Sequence, residues 1–176
     1  PDFDFSRGEF KYASELIRFI REHGDFGIAA AAYVDGHREC RRIDEDWENL
    51  KRKVDCGVDV LITQLFFDNR MFFHFRDCVR KMGIKVPIVP GLMPMFNAKQ
   101  IHRIVTMCGA TIPPDVLIML DKYRGSEEDM RRAGVEYAVK QIKELMSEGV
   151  DGIHLELMNK PDLAEELFRE LPGVRR

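Results

Sequence analysis

The residue whose surroundings demand most of it is Gln64, which ends the β-branched run Val58-Asp59-Val60-Leu61-Ile62-Thr63. A side-chain amide leaving an apolar strand must find partners for both its oxygen and its nitrogen. Two readings stand: a strand-end glutamine bonded to nearby backbone, or an amide offered to a heterocycle with a donor and an acceptor along one edge. Asp46, Asn49 and Lys53 recur at intervals of three and four, so they share one face of a helix. That face has a plain electrostatic account, since Asp44, Glu45 and Asp46 lie at the positive end of the helix dipole and Lys51, Arg52 and Lys53 at the negative end. It also has a functional account, as a stripe that hydrogen-bonds hydroxyls or phosphates of a bound cofactor. Tyr33 and His37 stand four apart in a loop containing Gly36; a loop histidine is ordinarily solvent-facing. His154 and Glu156 alternate onto one face of a strand, where two ionisable groups are costly unless wet or paired. No histidine spacing matches a metal motif and no Ser-His-Asp order stands out, so metal hydrolysis and acyl transfer are not expected.

The elements that must position these groups alternate along the chain. Strands are expected at Gly27 to Tyr33, Val58 to Gln64, Val86 to Pro90 and Gly152 to Leu157, with Gly91-Leu92-Met93-Pro94 breaking the third. Helices are expected between them. Phe10, Ala13, Leu16, Ile17 and Ile20 share the face of a leading helix, and Trp47, Leu50 and Val54 that of the next, which Asp44 opens. Phe72, Phe75 and Val79 follow, then Ile101, Ile104, Val105 and Cys108, and a short helical insert begins at Pro113 and Pro114. The clearest helix runs from about Glu127 to Glu148, with Val135, Ala138, Ile142, Leu145 and Met146 inside; Pro161 opens the last, burying Leu163, Leu167 and Phe168. Four strands each followed by a helix, with long crossovers, predict an α/β fold of parallel βα units. A doubly wound sheet and half of a (β/α)8 barrel both fit. No Gly-rich dinucleotide fingerprint and no P-loop is present.

In such folds function gathers where strands end. The four strand ends carry Tyr33 to His37, Thr63 to Asp68, Pro90 to Pro94 and Leu157 to Lys160, polar and aromatic groups suited to a planar, hydrogen-bonding ligand. The bulk numbers bound the rest. The chain has 176 residues, 45% apolar and 32% charged, which predicts one folded domain over 1–176. A net charge of −3 without a basic block predicts neither nucleic-acid nor membrane partners. No apolar run spans a bilayer and no signal peptide is visible. Cys40, Cys56, Cys78 and Cys108 lack C-x-x-C spacing, pointing to reduced thiols and a cytoplasmic location. Without an initiator Met, the chain is expected to be part of something longer.

The runs Asn49-Leu50-Lys51-Arg52-Lys53-Val54-Asp55-Cys56-Gly57 and Ile62-Thr63-Gln64-Leu65-Phe66-Phe67-Asp68 together resemble the methylenetetrahydrofolate reductases. So do Tyr33-x-x-Gly36-His37, Val89 to Pro94, and His154-x-x-x-x-Asn159, in matching order from about Phe10 to Leu171. The resemblance implies the second half, strands five to eight, of a TIM-type (β/α)8 barrel, lacking the first four βα units. It implies FAD as cofactor and NADH or NADPH as electron donor, with hydride passing through FAD to methylenetetrahydrofolate to give methyltetrahydrofolate, in one-carbon and methionine metabolism. By resemblance, Tyr33, His37, Cys40, Asp46, Asn49, Arg52 and Lys53 contact FAD. Gln64, Gln100 and Lys160 then lie on the folate side. No catalytic residue is expected within the chain, because the family's general-acid glutamate belongs to the absent half.

The chain departs from the family at four positions: Arg38 for a proline, Glu156 for a tyrosine, Lys160 for an arginine, and Ile104 for the aromatic residue expected to stack on folate. The substitutions at Ile104, Glu156 and Lys160 favour an alternative reading, a non-catalytic flavin- or folate-binding or assembly module derived from the reductase. A separate N-terminal half or a second copy is the expected partner, since four strands cannot close a barrel and leave two sheet edges open.

Overall fold

The computed structural model describes residues 8–95 and 98–171, with backbone alone at 98–100. The chain enters through α1 (Ala13–His23), then β1 (Ala29–Ala32), α2 (Ile43–Asp55), β2 (Val60–Thr63) and α3 (Asn69–Lys81). It continues through β3 (Ile88–Val89), β4 (Gly91–Leu92), α4 (Ala98–Cys108), α5 (Pro114–Lys122), α6 (Glu127–Ser147), β5 (His154–Leu155) and α7 (Pro161–Glu170). Every strand pair is parallel: β1 on β2 from Ala29↔Val60 to Ala32↔Thr63, β2 on β3 at Leu61↔Ile88, and β4 on β5 at Gly91↔His154. The expected parallel α/β class is therefore observed. The four alanines of β1, strong helix formers by propensity, are held extended by that pairing.

The expected break at Gly91-Leu92 needs correction, because those two residues form β4. Pro90 alone separates β3 from β4, and its carbonyl accepts a 2.9 Å bond from the amide of His154. One stretch of chain thus pairs first with β2 and then with β5, giving a continuous succession of neighbours, β1, β2, β3/β4 and β5. Gly91 makes the handover possible. A Cβ there would lie 2.2 Å from the Thr63 carbonyl oxygen, and the Gly91 amide donates to Thr63 Oγ1 at 2.8 Å. Any side chain would push the two strands apart.

The helices bury the sheet's outer face. Leu61, Ala32 and Ile88 point into a core completed by Trp47 and Leu50 of α2, Phe72, Phe75 and Val79 of α3, Ile142 and Leu145 of α6, and Leu163 and Leu167 of α7. Phe66 stacks on Phe72 with ring centroids 5.3 Å apart. A second core lies beneath the strand ends, where Ile101 and Ile104 of α4 and Val116 of α5 meet Leu65, Phe67, Met93 and Met95. Three expected core residues face water instead, Ala13 and Leu16 of α1 and Met146 of α6. Leu16 is displaced about 100° round α1 from Ile17, which takes the buried position against α2. Met146 sits one residue beyond Leu145 and is likewise turned outward at the end of α6. Phe168 and Val54 are half-buried beside their cores.

Candidate functional site

The loop after β1 gathers most of the residues expected to contact a cofactor. Tyr33 leaves the strand, Gly36 turns the chain at φ +84°, and the His37 ring meets the Tyr33 ring edge-on at 4.7 Å and 86°. The His37 amide donates to Asp46 Oδ2 at 3.0 Å, tying the loop to the first turns of α2. The Cys40 amide donates to the His37 carbonyl at 2.8 Å, and its thiol to the Arg42 carbonyl at 3.3 Å. Two turns along α2 from Asp46, the Lys53 ammonium reaches back to the carbonyl of Ala31. Between them on the same stripe, Arg52 donates to the Asn49 side-chain oxygen, both residues exposed. Burial holds Lys53 below its ordinary value while Asp46 works the other way. Burial, and next the charge of Asp46, push the Tyr33 phenol up.

The second feature is a cavity of about 280 Å³ on the inner face of the sheet. Its walls are the backbone and methyls of Ala29 to Ala31, Ile62 and Thr63, and its polar groups are Gln64, His154 and Glu156. Period-two alternation does bring His154 and Glu156 to one side. Gln64 stands at the border, because it also lines a smaller space with Tyr33, Asp35 and Cys108. Its Oε1 accepts from the Leu65 amide at 2.9 Å, as the bland reading of a strand-end glutamine requires. Among the described residues its Nε2 has no acceptor. The Cys108 thiol is pushed up by burial first and by the Glu156 carboxylate second.

Two further expected site positions, Lys160 and Gln100, and the departure at Ile104 belong to α7 and α4. Lys160 is the N-cap residue of α7, after Met158 and Asn159 at φ 50° and 58°, and does not line the cavity. Gln100 lies in the first turn of α4, and its side chain is outside the described residues. Ile104 is buried in the second core rather than turned to a ligand.

The structure adds residues that the sequence did not single out for a site. Asp35 Oδ2 accepts from the Thr111 amide at 3.0 Å, and Arg38 donates to the Met107 carbonyl at 3.1 Å. The loop bearing Tyr33 and His37 is thereby clasped to the C-terminal end of α4. These partners lie 76 and 69 residues away, so no local signal announces them. A separate polar cleft of about 200 Å³ lies where α3 meets α6. There Asn69 donates to the Gln141 carbonyl at 3.0 Å and to Glu144 at 2.7 Å, and the Tyr137 hydroxyl donates to the Phe67 carbonyl. Among the described residues no group of three or more His, Cys, Asp or Glu side chains could hold a metal ion, and no helix is long and apolar enough to cross a membrane.

Residues 2–172 match the family profile described as methylenetetrahydrofolate reductase. The 5,10-methylenetetrahydrofolate reductase of Escherichia coli (strain K12) is 37% identical over 164 residues, covering 93% of this chain and 55% of that protein. Methylenetetrahydrofolate reductase 1 of Schizosaccharomyces pombe is 37% identical over 174 residues, covering 97% of this chain and 29% of that protein. The chain therefore spans about half or less of the length of these relatives. A solved structure described as an uncharacterized protein from Clostridium thermocellum that binds two copies of 5-methyl-5,6,7,8-tetrahydrofolic acid superposes with a TM-score of 0.63. That likeness comes at 17% identity, over 87% of this chain and 55% of that one.

Proposed function

Because this chain belongs to the methylenetetrahydrofolate reductase family, we propose that it supplies strands five to eight of a flavin-dependent (β/α)8 barrel. In this reading residues 1–176 are one partial-barrel domain, and the first four βα units lie outside these residues, on the same polypeptide or on a partner that is a separate N-terminal half or a second copy. The observation that carries the reading is the convergence at one end of the sheet. Tyr33, His37, Asp46 and Lys53 meet around the end of β1, and Gln64 opens from the neighbouring strand onto the inner cavity.

The donor set suits FAD. Lys53 and Arg52 are cations for its phosphates, Asp46 and Asn49 accept from ribityl hydroxyls, and the Tyr33–His37 pair with Cys40 shapes the loop around it. Bound there, the cofactor would relay hydride from NADH or NADPH to the methylene carbon of methylenetetrahydrofolate, giving methyltetrahydrofolate. The chain's own part is to hold the two rings in register, with Gln64 fixing the pterin and Gln100 and Lys160 on the folate side. Proton donation belongs to the absent half, so no catalytic acid is assigned here. The setting is one-carbon metabolism in the cytoplasm.

The test is FAD binding by visible absorbance and flavin fluorescence, with size-exclusion light scattering on the same sample. Binding by an assembled species, with no methyltetrahydrofolate formed by the chain alone from flavin, folate and reduced nicotinamide, is the expected result. Turnover by the isolated monomer would sink the claim that a necessary acid is missing.

A further inference from the structure

Glu156 stands in the inner cavity with neither an ion-pair partner nor a hydrogen bond to its carboxylate among the described residues, and Gln64 faces the same cavity. Both line the cavity, and the Glu156 carboxylate is near enough to Cys108 to raise its thiol, while Cys108 lines the smaller adjoining space with Gln64. The Gln64 amide is not free to turn over, because the Leu65 amide holds its oxygen at 2.9 Å. That leaves Nε2 as a donor with no acceptor among the described residues. The cavity therefore offers one donor at the end of β2 and, past β4, the two acceptor oxygens of a carboxylate.

We infer that Glu156 is the specificity residue for the pyrimidine edge of a 2-amino-4-oxo pterin, with Gln64 taking the C4 carbonyl and Glu156 the N3–H and 2-amino donors. The inference rests on the reading of this cavity as a folate site and adds to it the groups that read the ring. Along that edge a pterin presents acceptor, donor, donor, which complements donor, acceptor, acceptor on the protein. A flavin or lumazine ring presents acceptor, donor, acceptor, so its C2 carbonyl would face a carboxylate oxygen. That clash is a selection against the wrong heterocycle, built from an unmatched buried polar contact. His154 lines the same wall and bounds the cavity on the side of β5.

The measurement is isothermal titration calorimetry of the unmodified chain with folic acid and with its lumazine analogue, in which a carbonyl replaces the 2-amino group. Folic acid is expected to bind about tenfold or more tightly, the margin of a charge-assisted hydrogen bond against a mismatched one. In E156Q the amide presents one acceptor and one donor, which match the N3–H and C2 carbonyl of lumazine but set an N–H against a pterin donor, so the preference for folic acid is lost and reverses toward lumazine. The isosteric change at a half-exposed position preserves the fold, which circular dichroism checks, and the preference in the unmodified chain needs no variant at all. Equal affinities in the unmodified chain, or a preference that survives E156Q, would overturn the role of Glu156 while leaving the folate reading standing. Binding of neither ring by the assembled species, identified by light scattering, would overturn both.

Discussion

Lys53 joins the flavin-side cluster to the strand it lies against, and its behaviour is the most specific residue-scale expectation. Its ammonium is half-buried on the Ala31 carbonyl, and burial holds its proton less firmly than an ordinary lysine's. Lys53→Met should weaken FAD binding by about tenfold, the value of one charge-assisted hydrogen bond to phosphate, without unfolding the chain. In the unmodified chain, FAD affinity should begin to fall at a pH lower than an exposed lysine would dictate; a flavin-fluorescence titration across the alkaline range reads both. Tyr137 is the second such residue. Burial, and then the charges of Asp115, Asp68 and Glu144, push its phenol up to about 12 from an ordinary 10.0. The stability this contributes is complete below the ordinary value and is lost as pH rises through the folded one, because the unfolded chain gives up the proton first. Tyr137→Phe should cost about 1 kcal/mol through its lost bond to Phe67 and remove that alkaline slope, as denaturant melts at several pH values would show. Gln64 was legible because an amide ending a β-branched strand is conspicuous. Asp35 and Arg38 were not, since a loop aspartate and arginine look solvated until the fold brings α4 against them.

At the scale of elements the helices were the readable part. Apolar residues at three-to-four spacing marked α2, α3 and α6, and each begins or ends within a few residues of where the pattern changes. Capping supports this locally. Asp68 accepts from the Arg70 amide at the start of α3, and the Ser126 hydroxyl accepts from the Asp129 amide at 3.2 Å at the start of α6. Ser126→Ala should therefore cost about 1 kcal/mol in urea unfolding and leave FAD affinity unchanged, because the cap lies away from the flavin-side loop. Phe75, fully buried between α2 and the sheet, should cost about 3–5 kcal/mol as alanine. The strand pairing across Pro90 could not be read from sequence. A proline and a glycine side by side signal a turn, and only the neighbouring Thr63 carbonyl reveals that the glycine is there to let two backbones meet.

At the scale of the whole molecule the sheet is open at both sides: among the described strands β1 pairs only with β2, and β5 only with β4. Its inner face, with Ala29 and Ala31 exposed, is apolar and half-covered. The sequence foresaw this from a count of four strands, but which strands would be edges depended on the order of pairing. In β1 the carbonyls of Ile28 and Ala32 accept from β2, so the backbone of Ala31 points to the open side, where Lys53 already covers its oxygen. Ala31→Pro should consequently leave the monomer folded, as proline is tolerated on an edge, while abolishing any closure across β1; light scattering with and without the substitution tests it.

The two open edges have one more consequence. Any complement that closes this sheet must dock at two places fixed in distance by one rigid body, so it behaves as a bivalent ligand. Once the first seam forms, the second is met at an effective concentration set by geometry rather than by the amount of protein present. Blocking either seam alone should then cost far more than half of the assembly's binding, since it removes the avidity along with the contacts.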